Sequence, residues 1–250
     1  YEQLRIERLG VTREGSGTYV SDVPLTRGPA APPRPVEAQS AYASRIRDLP
    51  ALRLGGGGLG LRYDLQYGAP LVNTKLVSAW STALATAAAT TNTGYPHPQG
   101  LPELRESIAR FLATWRGVVA DPRDIVVVSG TQQALSLVAR ILLDVGATAA
   151  MEDPSYELAS HCLRAHGADV VGVRTDDEGL VVDELPRTAR LVHVTPSHQF
   201  PAGRTMSLNR RQALLSFAGE NSSWIFEDDY DGELSYSARP IAALRSLDSG

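Results

Sequence analysis

The sequence has almost no lysine and a single cysteine. Of its 24 basic residues only Lys75 is a lysine, so chemistry that needs an amine side chain has one candidate. Cys162 stands alone, which excludes an internal disulfide and leaves any zinc site to histidines and carboxylates. No apolar run approaches the length of a membrane span, and the first residues are charged, unlike a signal peptide. These absences predict a soluble cytoplasmic protein with no membrane partner.

The charge balance is slightly acidic, with a net charge of -4. It gives no global signal of nucleic-acid binding, although a small DNA-binding element needs only a few residues. With 43% apolar residues, the chain can bury a substantial core. The composition therefore predicts one large α/β domain with a small appendage.

The most informative stretch is WIFEDDYD, from Trp224 to Asp231. Its three apolar residues predict a buried strand, so the acidic residues emerge at the carboxyl end of that strand. Open α/β sheets bind ligands at this edge. Four carboxylates around one tyrosine repel each other unless a cation, a protonated base or fixed hydrogen bonds offset the repulsion. We therefore expect a positively charged partner there.

Predicted strands alternate with predicted helices along most of the chain. The strands are 125–128, 149–151, 170–173, 190–194 and 224–226. Helices are predicted over 76–87 with Trp80 in the core, from Pro102 to a stop at Gly117, from 134 to 142, up to His166, and after a cap at Ser207. This alternation predicts a three-layer α/β/α fold with a mainly parallel sheet.

A small-residue turn, Ser129-Gly130-Thr131, separates the strand at 125–128 from its helix. Free amide groups and the positive end of the helix dipole point at such a turn, and glycine lets an anion approach the backbone. The turn therefore predicts an anion site. The glycine run at 55–60 lacks the Gly-Lys-Ser/Thr of a phosphate loop, so we predict a flexible connection there.

Residues 1–20 consist of a helical piece and a hairpin with strands at 11–13 and 18–20. Gly15 and Gly17 permit the positive φ of its tight turn. The hairpin suits either a DNA-contacting wing or an ordinary surface turn. Residues 21–50 contain a run of prolines, which predicts a semi-rigid linker.

Three strand-end loops precede EDDYD in an order and spacing that resemble the MocR group of transcriptional regulators. These loops are SGTQQ, EDPSY and TPSHQFPAG, at 129–133, 152–156 and 195–203. In that family a GntR-type winged helix is joined by a linker to a fold-type I, aminotransferase-like domain that holds pyridoxal 5'-phosphate. The resemblance implies the end of a winged helix at 1–20, a linker at 21–50 and part of the cofactor domain at 51–250.

The resemblance also implies roles for individual residues. Asp228 would pair with the protonated pyridine nitrogen, and Tyr230 would hydrogen-bond the ring hydroxyl oxygen. Tyr156 would stack on the ring, and Tyr95 would reach the phosphate of the neighbouring subunit in a homodimer. The residues around the phosphate would be Ser129, Gly130 and Thr131. The residues that meet DNA would be Arg13, Gly15, Ser16, Gly17 and Thr18.

Two departures separate the sequence from typical aminotransferases. Phe200 replaces an asparagine that bonds the ring oxygen, and MocR members also carry phenylalanine. The family's Schiff-base lysine is expected after Gly250, so no catalytic residue is assigned and no activity is expected of these residues alone.

The leading interpretation is a DNA-binding regulator that senses a small amino compound through pyridoxal phosphate. The alternative is a functional aminotransferase acting on an amino acid, against which the wing and linker argue. A third interpretation is a metal-dependent enzyme. It would use Glu227, Asp228, Asp229 and Asp231, with His193 and His198 nearby in sequence, but no metal-ligand pattern supports it.

Overall fold

The computed structural model describes residues 6, 9–21, 39–50, 73–90, 94–232 and 241–248. The chain divides into two compact units, Tyr1–Gln39 and Ser40–Gly250. The glycine run at 55–60, most of the helical piece at 1–10 and the proline-rich part of the predicted linker lie outside the described residues. Within the described ranges, every helix is too short or too polar to cross a membrane.

The smaller unit contains an antiparallel hairpin. Strand β1, Gly10–Arg13, pairs with β2, Gly17–Val20. Gly15 and Gly17 have φ values of 77° and 106°, in the region that favours glycine. The predicted hairpin is therefore confirmed, whereas its assignment to a winged helix stays a prediction.

In the described ranges the larger unit begins with helices up to residue 142, after which strands alternate with helices. Its helices are α1 Ala41–Arg47, α2 Thr74–Thr90, α3 Pro102–Arg116, α4 Thr131–Leu142, α5 Glu157–Ala165 and α6 Leu208–Asn221. Its strands are β3 Thr148–Asp153, β4 Asp169–Asp176, β5 Gly179–Leu180, β6 Ala189–Val194 and β7 Trp224–Glu227. Short 3-10 turns lie at Pro122–Asp124, Val182–Glu184 and Leu244–Leu247.

The five strands form one sheet in the order β5-β4-β3-β6-β7. All neighbours are parallel except β4 and β5, which pair as a short antiparallel edge. This confirms the predicted α/β fold with a mainly parallel sheet. Two predicted helix ends are also confirmed: Ser207 accepts a hydrogen bond from Arg210 N to cap α6, and Gly117 ends α3 with a φ of 70°.

Hydrophobic residues cover both faces of the sheet. On one face, Ala149, Met151 and Leu191 pack with residues of α4 and α5. On the other face, Ala150 and Val192 pack with residues that include Leu214 of α6. Alternate residues of a strand point to opposite faces, so these two clusters make the three layers that the alternation predicted.

The structure differs from prediction in four places. Residues 125–128 were predicted as a strand, but they are extended without a ladder, because in the described residues the only cross-segment backbone bond they make is from Val127 N to Gln99 O. Trp80 was predicted as core but is 64% exposed, and every other described side chain of α2 is exposed as well. The periodic spacing identified an apolar face of the helix, but no described element covers that face. Trp224 was predicted as buried and is 57% exposed, because β7 is the edge strand of this sheet.

The fourth difference is α1, which lies inside the range predicted as linker. Ser40 caps this helix by accepting a hydrogen bond from Ala43 N at 3.2 Å. Arg45 Nε donates to Ala165 O at 2.9 Å and ties α1 to the end of α5. The sequence around α1 therefore belongs to the larger unit.

Candidate functional site

The parallel strands β3, β6 and β7 end at one edge of the sheet, where their loops meet. The N–H of Asp228, the first residue after β7, donates to Val194 O at the end of β6, at 2.9 Å. Gln199 Nε2, in the loop after β6, donates to Pro154 O after β3, at 2.7 Å. Short hydrogen bonds thus hold the three loops together.

Three aromatic rings gather in these loops. Phe200 lies between Tyr156 and Tyr230, with ring centroids 6.2 and 6.3 Å apart and interplanar angles of 85° and 79°. Edge-to-face contacts of this kind are favourable for aromatic pairs. The structure therefore brings together two residues predicted for the site, Tyr156 and Tyr230, through the phenylalanine that departs from the aminotransferase pattern.

A buried carboxylate, Glu152, lies beneath the loop that carries Phe200. Its Oε2 accepts hydrogen bonds from Thr195 N at 3.1 Å and Thr195 Oγ1 at 2.5 Å. Thr195 Oγ1 in turn accepts from Phe200 N at 3.1 Å. Burial raises the pKa of Glu152, although the bonds from Thr195 oppose this. Its Oε1 has no hydrogen-bond partner in the described residues.

A buried histidine stands next to Asp228. His193 is fully buried, and its ring stacks on Phe226 at 5.5 Å with an angle of 13°. Its Nε2 lies 3.6 Å from Oδ2 of Asp228, whose side chain is 11% exposed. Within the described residues neither ring nitrogen of His193 has a hydrogen-bond partner.

The phenol of Tyr230 keeps its proton more tightly than usual. Burial raises its pKa, and the carboxylates of Asp231, Asp228 and Glu152 raise it further. The hydroxyl is thus protonated at neutral pH and can donate a hydrogen bond.

Two members of the acidic cluster have partners within the fold. The carboxylate of Glu227 accepts from Leu244 N at 2.8 Å and Arg245 N at 3.3 Å, and burial raises its pKa. Asp229 forms an ion pair with the buried Arg116, at 2.5 Å. Fixed hydrogen bonds and an internal cation therefore offset part of the repulsion that the sequence implied.

The turn before α4 has the features of an anion site. Gly130 is the N-cap of α4, with φ 146° and no side-chain cap bond. The first N–H groups of a helix have no acceptor inside the helix, and the helix dipole makes this end positive. Ser129 N–H already donates to Gln133 Oε1 at 2.6 Å, so Ser129 has its hydroxyl left to offer. Because α4 leads through a short connection into the start of β3, its N-terminus lies towards the edge where β3 ends.

The remaining predicted site residues are Tyr95 and the residues of the hairpin, which do not belong to the three loops. Tyr95 is fully exposed, in a loop beside the turn in which Gly100 N donates to His97 O at 2.8 Å. Gly100 packs so closely on Val127 that a Cβ there would lie 2.6 Å from Val127 Cγ2. The residues predicted to meet DNA, namely Arg13, Gly15, Ser16, Gly17 and Thr18, are exposed on the hairpin of the smaller unit.

Sequence reasoning assigned Arg116 no role at this site, placed Glu152 only within the strand-end loop at 152–156, and considered His193 only for the metal-dependent interpretation. The available signal was that each is a polar residue in an otherwise apolar run or helix end. In the described ranges, no three histidine, cysteine, aspartate or glutamate side chains are grouped as a metal site. A groove of about 590 Å³ lies along β7 and α6, and Glu227 is among the residues that line it.

The chain resembles two classes of known protein. It matches the family model described as aminotransferase class I and II over residues 63–247. It is 35% identical over 248 residues to the HTH-type pyridoxine biosynthesis transcriptional regulator PdxR of Corynebacterium glutamicum, covering 99% of this chain and 50% of that protein. It is 33% identical over 255 residues to the probable rhizopine catabolism regulatory protein MocR of Rhizobium meliloti, covering 99% and 51%. The chain thus spans about half the length of these curated relatives.

Among solved structures, the chain is similar to the kynurenine aminotransferase of Pyrococcus horikoshii, which was solved in complex with PMP. The TM-score is 0.63 at 29% identity, over 70% of this chain and 46% of that one. This likeness agrees with the three layers and the parallel sheet described above.

Proposed function

Because this chain belongs to the aminotransferase class I and II family, we propose that its larger unit holds pyridoxal 5'-phosphate and senses a small amino compound for a DNA-binding transcriptional regulator. The observation that supports a regulator is that PdxR and MocR each align with 99% of this chain. Such alignments include the hairpin at 10–20, which lies outside the 63–247 covered by the family model. The match to the kynurenine aminotransferase, by comparison, covers 70% of this chain.

The loops at the sheet edge suit this cofactor chemically. Asp228 offers a carboxylate for a cationic ring nitrogen, and Tyr230 offers a protonated hydroxyl for an anionic ring oxygen. The N-terminus of α4 suits a phosphate. The PMP named for the kynurenine aminotransferase structure supports the same class of cofactor here.

Each residue would have a separate task. Asp228 would hold the proton on the ring nitrogen, and Tyr230 would orient the ring by donating to its oxygen. Tyr156 and Phe200 would exclude water from the ring faces, while Ser129, Gly130 and Thr131 would anchor the phosphate. Pyridoxal phosphate supplies an aldehyde that reacts with amines and a ring that accepts electrons.

Tyr95 supports a shared site in a homodimer. Its ring is fully exposed in the single chain, and its loop is held by the hydrogen-bonded turn at 97–100. A tyrosine held this way is available to the phosphate of a second subunit.

A pair of variants tests the cofactor assignment. Asp228→Asn should weaken binding of added pyridoxal phosphate roughly 10- to 100-fold, the effect of losing a hydrogen bond between charged groups. Asp231→Asn is the matched control, because Asp231 has a φ of 55°, which asparagine tolerates. Titration followed by absorbance measures both. If the two variants bind equally well, Asp228 has been misassigned.

Gel-shift and transaminase assays on the whole protein distinguish regulator from enzyme. A regulator should shift its own promoter DNA, with a response to pyridoxal phosphate, and Arg13→Gln should weaken binding and lower the salt slope by about one. Turnover of common amino acids without any DNA binding would instead establish the aminotransferase.

A further inference from the structure

His193 is the penultimate residue of β6, at a fully buried position where an apolar residue would be expected. Its register partner on β7 is Phe226, and Asp228 follows two residues later. Because alternate residues of a strand share a face, Asp228 is directed to the same side as Phe226. Sheet register therefore places the imidazole next to the carboxylate.

The surroundings of His193 leave its polar atoms without partners. The ring is fully buried and stacks on Phe226, and neither nitrogen has a hydrogen bond within the described residues. Buried polar groups are rarely left this way. Two carboxylates influence this ring: Asp228 at 3.6 Å, and Glu152, whose pKa is raised by burial, an effect that the nearby His193 opposes only in small part.

The distance of 3.6 Å between Nε2 and Oδ2 is too long for a hydrogen bond. It can shorten through a small rotation of the Asp228 side chain, which has no hydrogen bond of its own in the described residues. Such contacts are often long in sites without ligand and tighten when the ligand binds.

We propose that His193 is a positioning residue for Asp228: it donates Nε2–H to Oδ2 and so leaves the other carboxylate oxygen for a cationic ring nitrogen. The role rests on the proposed function, because the cationic ring is that of pyridoxal phosphate. His193 touches the carboxylate and not the cofactor. It holds the Asp228 carboxylate in one orientation.

Two substitutions separate this role from simple packing. His193→Phe keeps the ring and its stacking on Phe226 but removes the donor. His193→Gln loses the ring but keeps an N–H donor of similar reach. We expect His193→Phe to weaken pyridoxal phosphate binding by a factor of roughly ten or more, and His193→Gln to stay within a few-fold of the wild type. If packing alone matters, the order is reversed, which overturns the proposal.

A second measurement needs neither the cofactor nor a change at His193. In the cofactor-free protein, ¹⁵N NMR of the imidazole should show a proton on Nε2, and Asp228→Asn should shift that signal. His166 is the internal control, since its Nε2 contacts Ser136 Oγ at 2.9 Å and it lies outside the three loops. Its signal should not move. A His193 signal that ignores Asp228→Asn refutes the pair.

The two measurements also separate this inference from the proposed function. A wild-type protein that fails to bind pyridoxal phosphate refutes the proposed function, and with it the task given to the second carboxylate oxygen. The NMR result then decides independently whether His193 and Asp228 are paired.

Discussion

Replacement of Arg116 by methionine should destabilise the fold by about 3 kcal/mol, because it leaves the carboxylate of Asp229 without its cation. The two side chains are 4% and 24% exposed, and Arg116 Nη2 also donates to Ser197 Oγ at 2.8 Å. Loss of one partner from a buried ion pair costs about 3–5 kcal/mol. The lower end applies because Asp229 keeps some contact with water. Methionine refills much of the volume, so a cavity adds little.

Urea and thermal unfolding measure this loss. For a domain of this size, 3 kcal/mol corresponds to a fall in the unfolding midpoint of roughly 6–12 °C. Arg123→Met is the matched control: it removes an arginine from an ion pair with Asp121 in which the side chains are 86% and 40% exposed, and its midpoint should not change. Adding Asp229→Asn to Arg116→Met should restore part of the loss. Equal midpoints for Arg116→Met and Arg123→Met would refute the reasoning.

Two further predictions concern buried carboxylates. Burial raises the pKa of Glu152 in the folded state, so its contribution to stability is complete below its ordinary pKa of about 4.3 and is lost as pH rises through the folded value. Because Glu152→Gln cannot ionise, urea unfolding across pH 4 to 8 should show the free energy of unfolding of this variant increasing relative to the wild type as pH rises. A difference that stays constant with pH would contradict the assignment. Glu227→Leu leaves the N–H groups of Leu244 and Arg245 without their acceptor, so hydrogen exchange at both amides should accelerate. Exchange at the amide of Leu191 in β6 should not change. Unchanged exchange at Leu244 and Arg245 would show that the carboxylate does not hold this turn.

The sheet could be predicted from the sequence because its signals are local. Short apolar runs bounded by turn residues mark β3, β6 and β7, and periodic apolar residues mark the helices between them. Residues 125–128 carry the same local signal, but a strand also requires a hydrogen-bonded neighbour, which no local pattern specifies. The exposure of Trp80 has the same origin, since periodicity identifies an apolar face and not the surface that covers it.

The convergence of Tyr156, Phe200 and Tyr230 could be predicted for a topological reason. Parallel strands end at a common edge, so residues just beyond their ends meet whatever the exact lengths of the helices. The partners of these residues could not be predicted, because His193 and Arg116 reach the site through register and through a contact between distant elements. Such contacts depend on shifts of a single residue, which move a side chain to the opposite face.

The acidic cluster shows how structure divides a charge that the sequence presents as one patch. Glu227 is engaged by two backbone N–H groups, and Asp229 by Arg116. Asp231 is exposed in a turn. Among the four, only Asp228 is largely buried beside a histidine, and within the described residues the Asp228 side chain makes no hydrogen bond. The repulsion among the four carboxylates predicted an external cation, and in the structure only Asp228 remains to bind one. A pyridinium next to Asp228 would be that cation.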